Sequence, residues 1–219
     1  MPSFLRSLTA ASALTLGLIG AVQAQNYSFS CVSNNSATNC ATGLNQLSMT
    51  LTQGVGSVEF RFSNTGLLAS SITDIYWDWA DGEPLFDASV GTITSSSGVS
   101  FNWGASPSNL PSGQNLSPSF SADLGADSNA PTQPNGVNPG EWVSFRFLTG
   151  VTSTAADLLN GDLRIGLHVQ GFSNGGSESF VNGGTTPIAS PAPEPETYAM
   201  MLAGLAIVGG IARRRKQQG

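Results

Sequence analysis

Leu47-Ser48-Met49-Thr50-Leu51-Thr52-Gln53-Gly54-Val55-Gly56-Ser57-Val58-Glu59-Phe60-Arg61-Phe62 is the stretch that decides the fold. Leu47, Met49 and Leu51 fall on one side of an extended chain and Ser48, Thr50 and Thr52 on the other, because side chains alternate faces with a period of two. Gly54 and Gly56 turn the chain, and Val58, Phe60 and Phe62 resume the apolar face. The reading is an antiparallel hairpin with one wet side.

The same signal recurs outward from this hairpin. Tyr27–Val32, Ile72–Asp78, Val90–Thr94, Val99–Trp103, Trp142–Thr149, Leu163–Gln170 and Ser179–Asn182 read as further short strands. Strands separated by Gly, Asn and Pro, with no regular helical segments between them, argue for an all-β antiparallel β-sandwich. A jelly-roll-like winding is expected, with one short helix at Thr154–Leu159 that stops at Asn160-Gly161. Residues 104–140 hold six of the twelve prolines and almost no alternation, which predicts a long loop that either covers the sandwich or moves freely.

The two ends of the chain have a different composition. Residues 1–24 carry one cation, Arg6, then an apolar run ending in Val22-Gln23-Ala24, the pattern of a signal peptide cut after Ala24. At the other end residues 198–212 are free of charge and are followed by Arg213, Arg214, Arg215 and Lys216. As a helix they span about 22 Å at ~1.5 Å per residue, short against a hydrocarbon core of ~30 Å. The cationic cluster places the C-terminus in the cytoplasm and the rest outside. The expected organisation is thus a signal peptide at 1–24, an exported β-sandwich at 25–184, a Pro-rich linker at 185–192 and a sorting tail at 193–216 with a transmembrane helix at 198–212.

Pro191-Ala192-Pro193-Glu194-Pro195 precedes that helix, and its prolines hold the backbone extended and strip it of donors. A Pro-Glu-Pro signature, a short apolar helix and an Arg-rich end, in that order, resemble the PEP-CTERM family over roughly residues 191–216. Such tails are also labelled the C-terminal domain of ice-binding proteins, a label for sorting rather than for ice. The resemblance implies processing by exosortase in a Gram-negative bacterium that secretes exopolysaccharide. It also implies a precursor held transiently in the inner membrane, then release to the cell surface or extracellular matrix, as in a biofilm. By it, Pro193, Glu194, Pro195, Arg213, Arg214 and Arg215 form the sorting signal. Segments 101–110, 129–140 and 161–181 are similar to a recurrent group of PEP-CTERM proteins and bring no activity with them.

Residues 25–192 hold twelve acidic and three basic side chains, so their net charge is 3 − 12 = −9. That excess of carboxylates opposes binding to nucleic acid or anionic polysaccharide and leaves cations and neutral glycans as expected partners, with exopolysaccharide a partner that the resemblance alone implies.

Cys31 and Cys40 are the only cysteines. In an oxidising compartment they are expected to pair, and metal ligation is the alternative. Asp74, Asp78, Asp81 and Asp87 crowd one segment and are the candidate oxygen ligands for Ca²⁺; the competing reading is a solvated turn. Trp77 and Trp79 share a face there, as core or as sugar platforms, with core favoured. His168, the single histidine, reads as a surface or loop-packed residue, since no Gly-x-Ser-x-Gly nucleophile elbow accompanies it. No catalytic residue and no resident cofactor are expected. A non-enzymatic structural role ranks first, a Ca²⁺ or neutral-glycan binding module second and a secreted hydrolase third.

Overall fold

In the computed structural model the hairpin forms as strands β3 (Leu47–Gly54) and β4 (Ser57–Asn64), paired from Leu47 against Asn64 to Gly54 against Ser57. The structure describes residues 23–80, 82, 84, 86–148, 154–182 and 188–189. The other strands are β1 (Gln23–Tyr27), β2 (Phe29–Cys31), β5 (Ser71–Trp79), β6 (Asp87–Ser95), β7 (Phe101–Trp103) and β8 (Leu124–Ser128). They continue with β9 (Trp142–Leu148), β10 (Leu163–Gln170), β11 (Glu178–Asn182) and β12 (Ile188–Ala189). They form two antiparallel sheets, β12-β1-β3-β4-β9-β6 and β2-β11-β10-β5-β8-β7.

The apolar faces of the two sheets close on each other around Trp77. Its indole is ringed by Phe60, Phe62, Phe145 and Phe147 of the facing sheet, with centroids 5.1–6.1 Å away and edge-on geometry. Edge-to-face contact suits the quadrupoles of aromatic rings and adds about 0.5–1.5 kcal/mol per pair to simple burial. Trp79 is buried too, so neither tryptophan is a sugar platform.

Three expectations need correction. The winding departs from a jelly roll, because hairpins β3–β4, β7–β8 and β10–β11 keep sequence neighbours side by side within a sheet. The segment 27–32 is two strands, since the chain leaves one sheet after Tyr27 and enters the other at Phe29. Three α-helices occur among the described residues, α1 (Ala37–Gln46), α2 (Thr132–Asn135) and α3 (Thr154–Asn160), with a 3-10 turn at Gly113–Asn115. α1 escaped notice because Ala-Thr-Asn-Cys-Ala-Thr-Gly-Leu-Asn-Gln is poor in strong helix formers. Tertiary contact stabilises it. Gly43 lies so close to Phe180 that an added Cβ would stand 2.1 Å from the ring.

Of the two readings given for residues 104–140, the covering one describes residues 104–123, while the rest of that stretch is not a plain loop, since it holds β8 and α2. Leu110 and Phe120 pack with Tyr76 and Val181 on the outer face of the second sheet, and Tyr76 donates its hydroxyl to the Pro107 carbonyl at 2.9 Å. Every residue of β5 is consequently buried. Its polar positions, which alternation assigned to solvent, lie instead beneath a second layer.

Candidate functional site

Beneath and beside that cover the strand register lines up a polar row. Ser179 pairs with His168, His168 with Asp74, Asp74 with Asp127 and Asp127 with Asn102, across β11, β10, β5, β8 and β7. A bulge at Thr73 shapes the middle of the row. The extra residue lets Ile72 and Ile75 both reach the core and leaves Asp74 on the outer face, the local re-aiming that bulges produce. Asp74 Oδ2 lies 2.9 Å from His168 Nδ1 and accepts from Thr73 Oγ1 at 2.9 Å. Asp74 and Ser179 are 1% exposed and His168 is 7% exposed. Of the surface and loop-packed readings the surface one is overturned: the histidine is a buried, carboxylate-bound residue, because β10 is an interior strand.

Ser179, His168 and Asp74 occur in the order of a nucleophilic triad, but the geometry is not that of one. A triad needs the hydroxyl hydrogen-bonded to the imidazole. Ser179 Oγ makes no hydrogen bond, and the Ser179 backbone N–H donates to Ser33 Oγ at 2.9 Å. Further along, burial and then the Asp74 charge push the Asp127 carboxyl above the ordinary carboxylate range. Asp74 Oδ1 and Asp127 Oδ1 both lack a protein donor. Burial first, then the charges of Asp74 and Asp127, also raises the Tyr76 phenol.

The four carboxylates considered for Ca²⁺ fare differently. Asp74 is committed to His168. Asp78 is paired with Arg164 and accepts the Ser121 N–H at 3.1 Å; burial raises its carboxyl, against the lowering pull of Ser121 and Arg164. Arg164 also donates to the carbonyls of Pro118 and Ser119, so the pair fastens the cover to the sheet. Asp87 begins β6, and Asp81 lies outside the described residues. The contacts of Asp74 and Asp78 are with other parts of the chain.

A second polar cluster involves a residue the sequence did not single out. Cys31 and Cys40 are joined by a disulfide, with Cα atoms 5.5 Å apart. Beside it Glu178, 1% exposed, accepts from Asn35 N at 2.9 Å, Ser36 N at 2.6 Å and the Ser33 hydroxyl. These donors belong to the approach to α1, whose first turn is capped by Ser36, and a carboxylate there suits the positive end of the helix. Glu178 is some 140 residues from its partners in the chain, so spacing could not reveal it.

These features define a mostly β, disulfide-bonded double-sheet domain that buries Asp74, Asp78, His168 and Glu178. Residues 191–216 match the family model of the PEP-CTERM protein-sorting motif, and they include all six residues of the expected sorting signal. The motif marks an exported protein of the Gram-negative envelope, sorted by exosortase. A search of curated proteins and a search of solved structures each return no match. The sorting tail and residues 1–22 lie outside the described residues, and among those described no helix is long and apolar enough to cross a membrane.

Proposed function

We propose that the exported domain is a non-catalytic structural component of the cell surface or extracellular matrix, held in the inner membrane by its tail until exosortase releases it. The observation that carries this reading is the use of the polar groups. Asp74, Asp78 and His168 are each buried and bound to other parts of the same chain, so their chemistry is spent on holding strands and cover together. A tightly closed, disulfide-bonded sandwich suits an extracellular setting with no chaperone supply. Exopolysaccharide is the partner this role implies.

Measurements on the host and on the purified chain test it. Surface proteolysis and matrix fractionation should find the processed chain outside the outer membrane, and the purified chain should co-sediment with the host exopolysaccharide. A panel of ester, glycoside and peptide substrates should show no turnover. Turnover that disappears in His168→Ala would sink the structural role and favour a hydrolase.

A further inference from the structure

We propose that Cys31, Cys40 and Glu178 form a redox-gated site for a thiophilic divalent cation such as Zn²⁺, in which the metal and the disulfide are alternative occupants of one position. The ligand atoms of the three residues all lie within 4.8 Å of one another. Cys31 Sγ stands 3.8 Å from Glu178 Oε2. Two thiolates and a carboxylate are a donor set that Zn²⁺ accepts, with water left to complete a tetrahedron.

The carboxylate is already oriented as metal ligands usually are. Its Oε2 accepts from the Ser33 hydroxyl and Asn35 N, and its Oε1 from Ser36 N, so three of about four lone-pair sites are filled and one on Oε1 remains. Such outer partners fix a ligating group and are part of a competent site. Glu178 also lines a cleft of about 400 Å³ with Asn35, Asn39 and Gly175.

The electrostatics explain why the site is gated. With the disulfide closed, the sulfurs are neutral and weak ligands. Opening it with a phosphine consumes one water: the phosphine is oxidised to its oxide, the S–S bond breaks, and each sulfur takes a proton. A divalent cation then binds both sulfurs as thiolates together with the carboxylate, while two protons leave to solvent. Reduction therefore replaces one cross-link between residue 31 and α1 with another that also includes β11.

The test uses the untagged full chain in detergent with Co²⁺ as the spectroscopic probe. Reduced chain should bind about one Co²⁺ with a sulfur-to-metal charge-transfer band in the near ultraviolet and release about two protons per metal. Oxidised chain should show no such band. Cys31→Ser should abolish the band after reduction, and Glu178→Gln should weaken binding by at least about tenfold. Circular dichroism monitors folding in each variant, and if Glu178→Gln unfolds, the Cys31→Ser arm and the proton count decide. No charge-transfer band in the reduced, folded chain would overturn the proposal, as would equal Co²⁺ binding by Cys31→Ser.

Discussion

Replacing Arg164 with Met tests whether the 104–123 cover is fastened by charge. Arg164 is 15% and Asp78 3% exposed by side chain, and the guanidinium also serves the carbonyls of Pro118 and Ser119. Removing one member of a buried pair costs about 3–5 kcal/mol, and the partial exposure of Arg164 places this change at the low end, about 3 kcal/mol. At roughly 2–4 °C per kcal/mol for a domain of this size, Tm should fall by about 6–12 °C. The sign of the pH effect follows from Asp78. Its folded pKa lies above the ordinary value of 3.8, so it favours the folded state at low pH and loses that contribution as pH rises through the folded pKa. Arg164 pulls that pKa down, so its removal raises it further. The defect should accordingly be large near pH 7 and smaller near pH 4, where the unpaired carboxyl takes up a proton. Thermal melts followed by near-ultraviolet circular dichroism read both conditions. A variant that melts within about 1 °C of wild type at both pH values would refute the ionic fastening.

Gly43→Ala should destabilise the fold by about 1–3 kcal/mol in urea melts, because the new Cβ must displace the buried Phe180 ring 2.1 Å away; an unchanged midpoint would contradict the packing of α1. The folded Asp127 carboxyl also has a raised pKa, so wild type should lose stability as pH rises through it, and Asp127→Asn should remove that slope from a pH series of melts. Millimolar Ca²⁺ should leave Tm unchanged, since Asp74 and Asp78 are engaged by His168 and Arg164; a rise in Tm abolished by Asp78→Asn would restore the cation reading.

The sandwich was legible wherever one strand face met water. In β3 and β4 the alternation is visible because each has a core side and a solvent side. In β5 a second layer buries both faces, and Asp74 and Asp78, two of the carboxylates that seemed to mark a solvated or cation-binding turn, are interior groups with their own partners. Period-two reasoning cannot see a cover contributed from residues 104–123, and composition cannot see that Glu178 closes on residues 33–36. The aromatic core was more accessible. Trp77 and the phenylalanines of β4 and β9 occupy inward alternation positions, so their burial followed from the strand pattern. The polar row needed the register itself, including the bulge at Thr73 that no local signal announces.

Sorting through the tail is the central claim, and its most direct test is intact mass combined with fractionation in a host that carries exosortase. Alanine at Pro193, Glu194 and Pro195 should leave export and membrane retention in place, because the apolar stretch 198–212 and the cluster Arg213 to Lys216 still stop transfer. The account predicts an uncut precursor accumulating in the inner membrane, while wild type is trimmed and released. A Pro-Glu-Pro variant trimmed and released at the wild-type rate would contradict it and reduce the motif to a linker.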